Sequence, residues 1–502
     1  MFDARALDRR WLVLLLCWAA GAHGADRGAL LAAAKDGDTA DVETLLAARA
    51  DPNEADADGT TALHWVVHRG KLEMVSKLIA AGAQADTANR YGVRPSYLAA
   101  ENGRADVMRV LLAAGANPRS TFAEGETLLM TAARTGDVAT VEALIAAGAE
   151  FNATELRGGQ TALMWAAAAN NGPTVTALIK AGADRDALDA TGDFTALAFA
   201  VRAGAIAGAK ALLEAGADPN SVLRDGTSML VLAGINANYE IASVLLDYSA
   251  DPNAAGQGWS PLHQIALARR WTRGFNLPGP EHRDQMSSLA LARKLVAHGA
   301  DVNARLTAEP HDGNGNGLKR LGATPFLLAT KQLDLPYMRT LLELGADASL
   351  KTDEGTSAVM VAAGVGQGFG SAGAAPGSIE EAIEALKLVI AAGGGTVNDT
   401  NASHETPLHG AMYRGGSIEL VDFLVAQGAS LEGVANKRGW TPLRIADGVA
   451  LDGVAFIRYP DTAAHIRELM AVKGLPVPPV EWDGPGGKSA KSDARPSSAP
   501  SE

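Results

Sequence analysis

With 502 residues that are 47% hydrophobic but only 5% aromatic, the chain is poor in the large rings that fill an ordinary globular core. Its formal net charge of -13 excludes the basic footprint that nucleic-acid binding requires. A single cysteine, Cys17, excludes an intrachain disulfide, a Cys-rich metal centre and a Cys-x-x-Cys-His haem attachment.

At the N-terminus, Arg9 and Arg10 precede the apolar run 11–20, and Ala22-His23-Gly24 offers small residues for cleavage. Residues 1–24 are therefore expected to be a secretory signal peptide, a run too short to span a bilayer comfortably. Removing them takes away Cys17 and a net +1 (Arg5, Arg9 and Arg10 against Asp3 and Asp8), so -13 becomes -14. A cysteine-free, Ala- and Gly-rich chain behind such a signal reads as bacterial and exported, with the periplasm ahead of the extracellular space.

From residue 25 to 474 one pattern recurs. Thr61 to Arg94 and Arg94 to Thr127 are steps of 33, and Thr127 to Thr161 and Thr161 to Thr195 are steps of 34. A period of this length marks small stacked units, none of which can bury its apolar face alone. Within a unit, the opening Thr or Ser suits a helix N-cap. Proline follows at the first helical position at Pro95, Pro261, Pro325, Pro407 and Pro442, where no donor is lost. A glycine such as Gly70 or Gly103 then breaks the short helix.

A second helix carries apolar residues seven, four and three places before its terminating glycine. These are Val75, Leu78 and Ile79, then Met108, Leu111 and Leu112, then Val141, Leu144 and Ile145, then Val175, Leu178 and Ile179. That spacing is one helical face, closed by Gly82, Gly115, Gly148 and Gly182 in a left-handed C-cap. Turn-forming segments of the Ala-Asp-Pro-Asn kind (217–220, 250–253) lead into the next unit.

Gly59-x-Thr61-Ala-Leu-His64, the Pro261-Leu-His263 and Pro407-Leu-His409 variants, and the Gly-Ala-Asp-x-Asn turns resemble the ankyrin repeat. The resemblance implies an all-α solenoid of about 12 helix-turn-helix units joined by short β-hairpin loops. It also implies that Thr and His brace each hairpin. His gives way to Tyr97, Met130, Met164, Ala198, Leu327, Met360 and Arg444, and those repeats are expected to be less rigid. The family's partners are generally proteins, so the expected function is a non-catalytic, exported scaffold that binds a protein through hairpin tips and concave helices.

The period is broken near 268–288, 306–321 and 364–377. The first two inserts hold Trp271, Phe275, Glu281-His282-Arg283-Asp284 and a Gly/Asn-rich stretch, and the third reads as a flexible Gly-rich loop. Trp259 and Trp440 follow the hairpin glycine, where a repeat faces outward, and Tyr91 and Phe122 lie on or near other tips. These four, with Trp271 and Phe275, are the candidate partner-binding residues, centred on the interruption at 258–324. Trp65 and Trp165 are read as packing between repeats, and Arg269-Arg270 and Lys437-Arg438 as solvated surface. Residues 475–502 read as a disordered Pro/Ser-rich tail.

No serine stands in a nucleophile elbow, and several lookalikes fail on spacing. Asp312-Gly-Asn314-Gly-Asn316-Gly317 opens like a calcium loop but has Ala323 where the bidentate Glu belongs. His404 and His409 are i, i+5 rather than the i, i+4 of a zinc protease, and neither Gly364–Gly370 nor Gly486-Gly487-Lys488-Ser489 has the spacing of a nucleotide loop. No cofactor is expected, the mature chain has no second apolar span, and it is read as a monomer. The alternatives are an enzyme or metal-dependent protein that uses the 268–321 inserts, which would require His282, His311, Asp284 and Asp312 to converge, and an accessory subunit of an exported redox or hydrolytic enzyme.

Overall fold

Threonine and serine caps, alanine-rich first helices and glycine stops repeat so evenly that the backbone is almost entirely short helices and turns. The computed structural model describes residues 28–269, 285–310, 318–367, 377–451 and 455–482. Among these residues the chain forms 24 α-helices in 12 consecutive pairs, divided between two compact units, Met1–Asp218 and Pro219–Glu502.

The first unit holds α1 (Ala29–Asp36) and α2 (Thr39–Ala47), α3 (Ala62–His68) and α4 (Leu72–Ala80), and α5 (Pro95–Glu101) and α6 (Ala105–Ala113). It continues through α7 (Leu128–Thr135) and α8 (Val138–Ala146), α9 (Ala162–Ala168) and α10 (Gly172–Lys180), and α11 (Ala196–Ala203) and α12 (Ile206–Glu214). The second unit begins with α13 (Met229–Ile235) and α14 (Tyr239–Asp247), α15 (Pro261–Arg269) and α16 (Ser288–Ala297), and α17 (Pro325–Lys331) and α18 (Leu335–Glu343). It ends with α19 (Ala358–Ala363) and α20 (Ile379–Ala391), α21 (Pro407–Tyr413) and α22 (Ile418–Ala426), and α23 (Pro442–Asp447) and α24 (Pro460–Val472).

Within each unit the first helices of successive pairs pack on one another in one row, and the second helices form a second row behind them. Small residues set the spacing between rows: a methyl added at Gly208 of α12 would lie 2.5 Å from the Ala167 carbonyl oxygen of α9. The second helices bury their first two apolar positions completely, as at Val75 and Leu78 or Val141 and Leu144. Their third, Ile79 or Ile145, stays half-buried at the outer edge. Thr127, Thr161 and Thr195 accept the backbone N–H three residues on, satisfying one of the free donors at each helix start. Gly82, with φ of 97°, has open space around it, so the left-handed backbone rather than crowding demands glycine there.

The last repeat departs from the expected helix-turn-helix plan. Between α23 and α24 the chain makes a two-stranded antiparallel sheet, β1 (Val449–Leu451) with β2 (Ala455–Ile457), Val449 opposite Ile457. No described helix is long and apolar enough to cross a membrane.

Candidate interaction surface

The hairpins are positioned by a brace that starts in the sequence Thr-x-x-His. Thr61 N–H and Oγ1 lie 3.1 and 2.8 Å from His64 Nδ1, and His64 Nε2 lies 3.1 Å from the Val93 carbonyl of the next hairpin. A backbone N–H can only donate, so Nδ1 must accept and the ring proton sits on Nε2, pointing at that carbonyl. Ser260 and His263 repeat this arrangement onto Ala323, and Thr406 and His409 repeat it onto Trp440. Burial pushes all three imidazoles below their ordinary range, His263 to about 4. A proton on Nδ1 would also face the backbone N–H it now accepts from.

Where methionine replaces histidine, the sulfur takes over half of this role. Met130 Sδ and Met164 Sδ each lie 3.4 Å from the cap N–H of Thr127 and Thr161, but thioethers have no donor to pass on to the next hairpin. Tyr97 instead packs its buried ring on Phe122, with centroids 4.5 Å apart. A second ladder was not foreseen. Asn53 Nδ2 donates to the Gly82 carbonyl and its Oδ1 accepts from Gln84 N–H, and Asn220, Asn253, Asn303 and Asn398 make the same bridge to the following turn. The Asn of each Ala-Asp-x-Asn segment is thus a link between repeats as well as a turn former.

In the first unit a recess lies between hairpins and first-row helices. It is lined by His64, Trp65 and His68 of α3 and Leu98 of α5, together with Asp58, Thr60, Asn89, Tyr91, Val93 and Phe122 from outside these helices. The volume is about 70 Å³, which suits a side chain rather than a whole small-molecule ligand. Trp65, read from sequence as packing between repeats, does carry Lys35 over its ring at 5.2 Å, yet it also lines this recess. Its indole N–H is buried without an acceptor. Tyr91 is 38% exposed at the rim, where Arg90 donates to its hydroxyl at 2.6 Å and lies 4.9 Å from its ring.

One edge of the recess is acidic. Burial, reinforced by a hydrogen bond and the charge of Asp58, lifts Asp56 to about 6. Burial would raise Asp58 as well, but hydrogen bonds from the Asp56 side chain and Thr60 and the charge of Arg90 outweigh it, so Asp58 falls below the usual carboxylate range. Neither carboxylate makes an ion pair among the described residues. Further tips of the first unit expose Leu156 (83%) and Leu188 (51%).

The interruption at 258–324 looks different from its sequence. Trp259 is half-buried rather than outward and free, and its indole N–H donates to Gln264 Oε1 at 3.0 Å. Trp440 is likewise half-buried, under the Arg438 guanidinium at 5.2 Å. Arg269 is not solvated surface. It grips the buried Asp334 carboxylate through Nε and Nη2 at 2.6 and 3.1 Å, and reaches Ser288 Oγ at 2.6 Å through Nη1. Both ends of the first insert are therefore held at its base. The second insert is fastened by the buried Arg320, whose Nε lies 3.0 Å from Glu309 Oε2. Residues 1–24, Trp271, Phe275, His282, Asp284, His311, Asp312 and the middle of the Gly364–Gly377 insert lie outside the described residues. Among the described residues no three His, Cys, Asp or Glu are grouped to hold a metal.

The tail expected to begin at 475 is held over its first eight residues. Arg467 pairs with the buried Asp447 at 2.7 Å and donates to the carbonyls of Pro478 and Pro479. Glu481 bonds Asp447 and Arg444, and Arg458 lies 4.9 Å from the Trp482 ring.

The repeat geometry agrees with comparison to known proteins. The family model for ankyrin repeats (3 copies) matches residues 30–122, 129–222 and 197–272. Residues 30–122 and 129–272 carry ankyrin repeats. The crystal structure of the human ASB11 ankyrin repeat domain is similar at 20% identity and a TM-score of 0.40, over 51% of this chain and 99% of that one. No curated protein matches in sequence. Ankyrin repeats are typically protein–protein interaction modules, and the recess lies in the part of the chain that the family model matches.

Proposed function

We propose that this ankyrin-repeat chain is an exported, non-catalytic adhesion module whose first unit grips a protein partner. The recess walled by Trp65, Tyr91 and Phe122 carries this reading, because it is a ready-made socket for one apolar side chain. Aromatic residues around a preformed pocket are the usual composition of a binding hot spot. The hairpin ladders hold the socket before the partner arrives, so little ordering entropy is lost on association. Export rests on the layout of residues 1–24. Trp259, Trp440 and the inserts with Trp271 and Phe275 are the secondary contact zone.

The test is capture of the partner by Tyr91→Ala against wild type, with thermal unfolding measured on both. Tyr91 is exposed at the rim, so the variant should fold normally and lose at least about tenfold in affinity. Equal capture by both would refute the assignment. Fusion of residues 1–24 to a reporter that works only outside the cytoplasm checks export separately.

A further inference from the structure

We infer that the partner segment seated in this recess is basic: an apolar anchor side chain flanked by lysine or arginine. The inference rests on the proposed binding role of the recess and adds the chemistry of what fills it. Residues 51–58 supply four carboxylates, Asp51, Glu54, Asp56 and Asp58, and no Lys or Arg occurs between 50 and 68. Asp58 belongs to the recess wall itself.

The cations nearby are already engaged. Arg90 is held on the hydroxyl and ring of Tyr91, from where its charge reaches Asp58 without forming an ion pair; Arg94 is paired with Asp86 at 3.2 Å, and Lys35 lies over the Trp65 ring, so four carboxylates still outnumber the two unpaired cations beside the recess. The hydrogen bonds that Asp56 and Asp58 accept from Asp58 N–H and Thr60 N–H fix the two side chains, and above a pH of about 6 both are ionised. Trp65, Tyr91, Val93, Leu98 and Phe122 outnumber the uncharged polar Thr60 and Asn89 in the lining, so its interior selects an apolar group while its edge selects positive charge. A partner with acidic flanks would meet like charge at short range, which is how an interface rejects wrong partners. The net charge of -13 makes the long-range field act in the same direction.

The test uses the full chain, immobilised, and a displayed library of random dodecapeptides. Enriched sequences should carry one Leu, Ile, Met or aromatic residue with Lys or Arg within two positions. A peptide synthesised from that set should bind the Asp56→Asn/Asp58→Asn variant about five- to tenfold more weakly, and lose a similar factor between about 0.05 and 0.5 M salt. Asparagine can still accept the Thr60 N–H, so this variant keeps the hairpin, which unchanged thermal unfolding verifies. Peptides that need Tyr91 but are neutral or acidic would overturn the inference and leave the recess as the binding site. Peptides indifferent to Tyr91→Ala, or no enrichment over bare support, would overturn both.

Discussion

The recess of the first unit and the interruption of the second are built on the same brace, stretched over different lengths of chain. His64 reaches a carbonyl 29 residues away and His263 one 60 residues away, yet the bonds measure 3.1 and 3.0 Å. The repeat that carries the inserts of the second unit therefore keeps its brace, and the described ends of the inserts are held by Arg269 and Arg320. In the first unit, nothing intervenes between hairpins, and rings from three successive repeats converge on one socket. Length added to a repeat marks where the fold tolerates change. Convergence of side chains across uninterrupted repeats marks where a partner can be gripped.

The comparison breaks most forcefully at Arg269. Replacing it with Met strands the Asp334 carboxylate, which is buried, and should destabilise the second unit by about 3–5 kcal/mol. Amide exchange should accelerate around α15 and α18 and stay unchanged around α3 to α5; uniform acceleration would contradict two separately held regions.

Acid should act next. His263 has a folded value near 4 against an ordinary 6.5, so the unfolded chain takes up the proton first. Its contribution is complete above about pH 6.5 and lost as pH falls towards 4, to a total of roughly 3 kcal/mol. His64 and His409 shift in the same direction. Asp56 works oppositely, favouring the folded state at low pH and ceasing to do so as pH rises through about 6. Denaturant midpoints measured from pH 7 to 4 should fall, and His263→Gln should flatten the slope. A smaller effect belongs to the caps: Thr127→Ala should cost about 1 kcal/mol, since Met130 N–H loses its acceptor. A melting temperature unchanged by that substitution would show that the cap contributes nothing.

Much of this was legible in the sequence because it is periodic. The steps of 33 and 34, the Thr caps, the glycine stops and the i, i+3, i+4 faces of Val75, Leu78 and Ile79 each announce a unit that neighbours must cover. What periodicity hides is how residues from different units meet. Trp65, Tyr91 and Phe122 occupy unequal positions in their repeats, so no one-dimensional pattern brings them together. Exposure misled for the same reason: Trp259 sits at a tip but turns back onto Gln264. The terminal hairpin did leave a signal, Asp452-Gly453 between two apolar triplets, which the helical period overshadowed. The docking of 475–482 depends on Asp447 and Arg467, 20 residues apart and silent as a pair in sequence.

The central claim is that the first-unit socket, and not the inserted loops, holds the partner. One binding isotherm on three full-length proteins tests it: wild type, Tyr91→Ala, and a chain with 271–284 replaced by a short Gly/Ser linker, each titrated with a peptide selected on wild type. The account predicts that the loop replacement binds like wild type while Tyr91→Ala loses at least about tenfold. Full binding by Tyr91→Ala together with loss in the loop replacement would contradict it.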